Sequence, residues 1–169
     1  MKTLFCLRHA KSSWAEPGQR DHDRPLTPRG VRAAELMALY LSQQGVRPTF
    51  ALCSSARRAV DTFAPIRRHL GVPYQIDRAL YGADPETLQS CVAALDDATS
   101  AALLVGHNPG MHDFALALAG GGERGARARL RERFPTAALA VIELPIEQWS
   151  ELVPGRGSLA RYVTPADLV

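Results

Sequence analysis

Three short apolar runs in this chain each end on cations or imidazoles. Leu4-Phe5-Cys6-Leu7 runs into Arg8-His9, Phe50 to Cys53 into Ser54-Ser55 and Arg58, and Ala101 to Val105 into Gly106-His107. Each run has the length and composition of a buried strand. Ligands of an open parallel sheet sit just beyond the carboxyl ends of its strands. Two arginines and two histidines are therefore expected on one rim, and that set suits a phosphoryl group. Arginine grips phosphate oxygens bidentately and stays charged. Paired guanidinium groups stabilise the equatorial oxygens as charge shifts during transfer. An imidazole between them is able to attack phosphorus and carry the group covalently. A lone Arg-His pair is ordinary in a surface loop; recurrence at three strand ends is what gives the pattern weight.

The elements that must position these residues follow from local signals. A polar loop, Ala15 to Leu26, leads to Thr27-Pro28, an N-cap and first-turn pair. The helix it opens is expected to reach about Gln44, with Val31, Ala34, Met37, Ala38 and Leu41 on its apolar face. A second helix opens around Ala56 to Thr62, capped by Ser54 or Ser55, and ends near Leu70-Gly71. Pro65 inside it predicts a kink or a break. Tyr74 to Ile76 reads as a third strand, and Asp84-Pro85 as the cap of a third helix carrying Leu88, Val92 and Leu95. Ala101 to Val105 is the best central strand, followed by a helix from Met111 to Ala119 that Gly120-Gly121-Gly122 closes. The basic stretch to Arg133 reads as a loop with a helical turn. Ala137 to Leu144 reads as a strand, with Glu151 to Val153 and Ser158 to Val163 as antiparallel edge strand. Strand and helix alternate, so an α/β fold with a mostly parallel sheet and helices on both faces is expected.

The chain has 169 residues, of which 46% are hydrophobic and 22% charged. That balance allows one domain, residues 1–169, with a substantial core. No apolar stretch nears the ~20 residues of a bilayer span. The N-terminal run is too short and too soon interrupted for a signal peptide, so a cytoplasmic location is the expectation. Cys6, Cys53 and Cys91 are scattered and odd in number, which argues against a disulfide framework. Cys6 and Cys53 lie in strands, as buried small hydrophobes do. No Cys/His spacing suits zinc, and the arginines supply positive charge, so neither metal nor cofactor is expected. A net charge of +3 fits a phosphorylated partner. No nucleic-acid motif accompanies the basic clusters.

The stretches Leu7-Arg8-His9-Ala10, Arg58-Ala59 with Thr62, and Gly106-His107 resemble, in order and spacing, the histidine phosphatase superfamily. The resemblance is nearer to its SixA-type phosphohistidine phosphatase branch. There it rests on Arg8 to Trp14, Asp23-Arg24-Pro25-Leu26-Thr27 with Gly30, Ser54 to Thr62, and Val105 to Pro109. It covers most of the chain to about residue 144, and the short length fits a branch lacking the long insertion after the third strand. It implies a phosphoglycerate mutase-like three-layer α/β/α sandwich and a metal-independent hydrolase. His9 would be the nucleophile, Arg8 and Arg58 would bind phosphate, and His107 would stabilise the transferring group. Ser12 and Ser13 would contact the phosphate or position the loop.

Two positions depart from the family pattern. Ala10 replaces the glycine of the Arg-His-Gly motif, and Ser55 stands where a proline is common. The general acid of ester-hydrolysing members is also missing: the loop after the third strand offers only Asp84, whose expected role is capping. An alkoxide leaving group needs a proton in the transition state. The imidazole of a phosphohistidine, with a parent pKa of about 6.5, needs far less help. The resulting expectation is a phosphatase acting on protein phosphohistidine through phospho-His9. The alternatives are a small-molecule phosphomonoesterase or mutase-like phosphotransferase, with Asp84 as acid, and a non-catalytic phospho-protein binding module. Among the remaining residues, Asp23 and Arg24 are expected to brace the loop as an ion pair, and Arg57 to face solvent. His22 and His112 are expected in exposed loop or rim positions, and His69 at a helix end. Arg127 to Arg133 reads as a solvated basic face or a recruiter of acidic protein.

Overall fold

The computed structural model describes residues 1–169. Its strands are β1 (Lys2–Arg8), β2 (Phe50–Ser54), β3 (Tyr74–Asp77), β4 (Ala101–Gly106), β5 (Ala119–Gly122), β6 (Leu139–Leu144) and β7 (Gly157–Val163). Its helices are α1 (Pro28–Ser42), α2 (Arg57–Leu70), α3 (Pro85–Ala93), α4 (Gly110–Leu118) and α5 (Arg124–Glu132). All seven strands form one sheet in the order β3-β2-β4-β1-β6-β7-β5. β6 runs against both its neighbours, and every other pairing is parallel. The sheet is thus mostly parallel, as the alternation of elements predicts.

Side-chain alternation along the strands divides the core into two layers. Leu4 and Cys6 of β1 join Leu104, Leu88, Val92 and Phe114 on the face covered by α3 and α4. Phe5 and Leu7 join Met37, Leu41, Phe63 and Ile66 on the face covered by α1 and α2. β4 is buried at every position, as a central parallel strand with both faces covered must be. This is the expected three-layer α/β/α sandwich. Cys6 and Cys53 are buried, and no helix is long and apolar enough to cross a membrane.

The structure corrects several local expectations. The basic stretch is a helix, α5, because the Glu123 carboxylate accepts from the Gly125 and Ala126 backbone N–H groups and Leu130 anchors one side. Gly120 to Gly122 is strand rather than a closing turn. Gly122 has a φ of 120°, and a Cβ there would lie 2.5 Å from the Leu159 carbonyl oxygen of β7. β7 is consequently an inner strand, with β5 outside it. Glu151 belongs to a single 3-10 turn, Trp149–Glu151, and Val153 to none of the strands. α2 passes through buried Pro65 unbroken. On α1, Val31 is exposed while Gly30 is buried: the helix turns its glycine toward the chain leaving β1, where a Cβ would lie 2.1 Å from the Lys11 carbonyl oxygen.

Candidate active site

The site is built by register. Arg8 pairs with Gly106 across β1 and β4, and Cys53 pairs with Val105 across β2 and β4. Arg8, Ser54 and Gly106 therefore stand at one level, and His9 and His107 are the next residues on the rim. The His9 N–H donates to the Gly106 carbonyl at 3.0 Å. The two imidazole centroids are 5.1 Å apart.

His9 presents one nitrogen by construction. Its Nδ1 lies 2.8 Å from the Ala10 carbonyl oxygen. A carbonyl only accepts, so Nδ1 carries the proton and Nε2 keeps a free lone pair. Burial, opposed by the bond to Ala10 and reinforced by the charges of Arg58 and Arg8, lowers the His9 pKa to about 4. The ring is neutral at pH 7. Ala10 itself is buried with Leu26, Ala34 and Ala137, so the methyl that replaces the family's glycine has a packed place. Its N–H donates to Thr62 Oγ1 at 2.9 Å, and the Thr62 hydroxyl donates to the Arg58 carbonyl at 2.7 Å. Thr62 thus ties the loop that carries His9 to the first turn of α2.

His107 is held by Ser54, whose Oγ lies 2.7 Å from its Nε2. Ser54 Oγ also accepts from the Ala56 N–H at 3.3 Å and is able to turn its own hydrogen to the imidazole. His107 Nε2 then accepts, and Nδ1–H is left as a donor. Burial, followed by the His9 and Arg58 charges, lowers the His107 pKa to about 3. The sequence reading offered Ser54 or Ser55 as helix caps; the N-cap is Ala56, with no side-chain bond, and Ser54 is committed to His107. Ser55 Oγ pairs with His22 Nε2 at 2.9 Å.

The guanidinium groups are anchored on one side and open on another. Arg8 Nη1 donates to the Phe134 carbonyl at 3.1 Å. Arg58 Nη1 donates to the Asp21 carbonyl at 2.8 Å, and its Nη2 to Asp21 Oδ2 at 3.1 Å. Three buried side-chain polar atoms in the molecule lack a partner: Arg8 Nε, Arg58 Nε and His107 Nδ1. All three belong to this rim. A buried polar atom left unpaired costs about 1–3 kcal/mol, so their concentration around His9 marks a place built to receive an acceptor-rich group.

Asp21 and Tyr81 were not legible in the sequence. The Asp21 carboxylate accepts from the Tyr81 hydroxyl, from Arg58, and from Arg24 Nε at 3.1 Å. The Tyr81 bond, then the Arg58 and Arg24 groups, hold its pKa at about 2. The Tyr81 ring lies 5.6 Å from the His107 ring and 4.9 Å from His22. Its place at the end of the third-strand loop, beside Gly82, was the one available signal.

The other expected residues stand as follows. Ser12 Oγ accepts from Arg24 Nη1 at 2.8 Å, and Ser13 Oγ accepts from the Ala15 N–H at 3.0 Å. Both brace the loop. Asp23 and Arg24 do not pair with each other. The 3-10 turn Asp21–Asp23 puts Arg24 three residues from Asp21, which it pairs with, and Asp23 pairs with Arg20 at 2.9 Å. Arg24 also stacks 3.5 Å over the exposed Trp14 ring. Asp84 caps α3, its Oδ1 accepting from the Thr87 N–H at 2.8 Å, and that bond lowers its pKa. His112 is not an exposed rim residue: its Nε2 lies 2.6 Å from the Leu130 carbonyl and its ring stacks on Phe134. His69 meets Glu35 at 2.7 Å, and exposed Arg57 meets Asp61. No group of three or more His, Cys, Asp or Glu side chains is arranged to hold a metal ion.

The family model of the histidine phosphatase superfamily, branch 1, matches residues 4–131. An uncharacterised protein of Mycobacterium tuberculosis is 36% identical over 163 residues, covering 94% of this chain and 99% of its own. Among solved structures, a candidate phosphohistidine phosphatase SixA from Agrobacterium tumefaciens superposes with a TM-score of 0.83 at 33% identity, covering 97% of this chain and 98% of that one. A candidate phosphohistidine phosphatase SixA from Nakamurella multipartitia gives 0.86 at 30% identity, with coverages of 97% and 96%. The protein histidine phosphatase SixA complexed with tungstate gives 0.79 at 24% identity, covering 99% of each chain, and shares the fold.

Proposed function

The chain belongs to the histidine phosphatase superfamily, and from that premise we propose that it hydrolyses phosphohistidine on proteins through a phospho-His9 intermediate. One observation carries the reading: three unpartnered buried atoms, on Arg8, Arg58 and His107, surround an imidazole whose Nε2 lone pair is free. His9 Nε2 attacks phosphorus as the P–N bond to the substrate imidazole breaks. That imidazole leaves with the electron pair and takes its proton from water. Arg8, Arg58 and His107 hold the equatorial oxygens throughout. Water then attacks the phosphorus of phospho-His9, and inorganic phosphate leaves with His9 neutral again. The positive charge of the site is guanidinium charge, so the proposal needs no metal.

The absence of a raised carboxyl near the rim supports the P–N substrate class. Asp21 and Asp84 are both held below the ordinary carboxylate range, by Tyr81 with the arginines and by the Thr87 N–H respectively. Both histidines are neutral at pH 7. An alkoxide would leave without a proton donor of suitable strength. The test is side-by-side hydrolysis of a phosphohistidine protein and a simple phosphate monoester by wild type and His9→Ala. Fast, His9-dependent loss of phosphohistidine with slow ester cleavage is expected. Preference for the ester overturns the substrate assignment. Phosphate binding without turnover of either makes the protein a binding module.

A further inference from the structure

Beside the phosphate rim lies a cleft of about 160 Å3, lined among others by Lys11, Arg29, Arg133, Thr136 and Thr164. Resting on the phosphohistidine phosphatase reading above, we propose that this cleft is an anion subsite that takes carboxylate side chains flanking the phosphorylated histidine, making acidic proteins the preferred substrates.

Three cations from three separate segments converge there, all exposed. None has a carboxylate within the chain, whereas Arg20, Arg24, Arg58, Arg68 and Arg129 each do. The nearby carboxylates leave the cleft cationic. Asp167 is engaged by Arg129 at 2.7 Å and accepts from the Thr164 N–H. Glu132 lines an adjoining hollow with Arg129, Arg133, Tyr162 and Thr164.

The cleft and the phosphate rim share backbone. Lys11 is two residues beyond His9. Arg133 immediately precedes Phe134, whose carbonyl accepts from Arg8 Nη1. Thr136 precedes Ala137, whose N–H donates to the Arg8 and His9 carbonyls. The cleft is therefore bordered by the segments that carry Arg8 and His9, within reach of residues flanking a phosphohistidine. The volume admits one or two carboxylates and the lining is mostly polar. On α5, Arg124, Arg127 and Arg131 fall on one stripe without an ion pair, on the opposite side of the helix from Arg129, which shares the adjoining hollow with Arg133. Cations drawn from three separate segments fit a substrate carrying several carboxylates better than a small bisphosphate, and such fields also speed encounter.

The test uses the double variant Arg29→Ala/Arg133→Ala, which leaves the phosphate rim intact. The substrates are two phosphohistidine peptides, one flanked by glutamates and one by glutamines, with phosphoimidazole as the minimal probe. The variant is expected to lose about fivefold to tenfold in kcat/KM on the glutamate peptide, through KM, from two exposed charge contacts. Turnover of phosphoimidazole and of the glutamine peptide stays unchanged, and the wild-type preference fades in high salt. Equal losses on both peptides, or none on the glutamate peptide, overturn the subsite. So does a single-stranded oligonucleotide that binds wild type more tightly than the glutamate peptide and is lost in the variant. Failure of wild type to turn over either peptide or phosphoimidazole refutes the phosphatase reading separately. Anisotropy of labelled glutamate and glutamine peptides then decides the cleft: a difference abolished in the variant supports it, and no difference overturns it.

Discussion

Replacing Ser54 with alanine isolates what the second histidine does. The Ser54 side chain is fully buried, and its hydroxyl makes the 2.7 Å contact with His107 Nε2. With the Ser54 hydrogen turned to Nε2, the unpartnered Nδ1–H is the donor that the proposed reaction needs. In the alanine variant Nε2 has no donor, so the ring is free to protonate there and turn Nδ1 into an acceptor that repels phosphate oxygens. Leaving one buried acceptor unsatisfied costs about 1–3 kcal/mol. If that cost falls on the transition state, kcat drops roughly fivefold to 150-fold. Single-turnover rates of phosphoenzyme formation, with ring nitrogen NMR to read the tautomer, provide the assay. Wild type should show the Nδ1–H tautomer at His107 and Ser54→Ala a mixture. A variant with kcat within twofold of wild type and an unchanged tautomer refutes the positioning role, even if its melting temperature falls.

Asp84 offers a sharper discrimination than simple deletion. Asp84→Asn keeps the α3 cap and should leave kcat on esters and phosphohistidine unchanged, while Asp84→Ala should cost about 1 kcal/mol of stability; a loss of ester turnover in the asparagine variant would instead identify Asp84 as the acid. Acid should weaken the fold through both site histidines. Their folded pKa values of about 4 and about 3 lie below the unfolded value near 6.5. Between those limits the unfolded chain binds more protons, so stability is complete above pH 6.5 and falls as pH drops, by about 2 kcal/mol per histidine at pH 5. Urea unfolding at pH 7.5 and 5 measures this, and His9→Ala should remove roughly half of the slope. Asp21→Asn removes a carboxylate beside Arg58 while keeping an acceptor for it. Inorganic phosphate should bind severalfold tighter and kcat should fall as Arg58 loses its charged anchor; weaker phosphate binding in titration calorimetry contradicts that balance.

Much of this molecule follows from period and punctuation in the chain. The alternation Leu4, Phe5, Cys6, Leu7 assigns side chains to two core layers because successive residues of a strand face opposite sides. Thr27-Pro28 and Asp84-Pro85 start α1 and α3, since a capping oxygen and a fixed φ are local properties. Arg8, His9, Arg58 and His107 could be selected because parallel strands end on one side, whatever the loops do. What the chain could not reveal depends on which distant segments meet. α5 shows no apolar stripe, and its formation rests on a cap and a single buried leucine. The glycines of β5 look like a helix stop until β7 lies alongside. Asp21 sits in a polar loop among other charges, and only the approach of Arg58 from α2 and Tyr81 from beyond β3 singles it out. Ser54 reads locally as a cap, but β4 stands beside β2 and brings His107 within reach of its hydroxyl. The types of the reacting groups are local chemistry written in the sequence. Their protonation, their anchors and their orphaned donors arise from burial and from contacts between residues tens of positions apart, which only the folded chain creates.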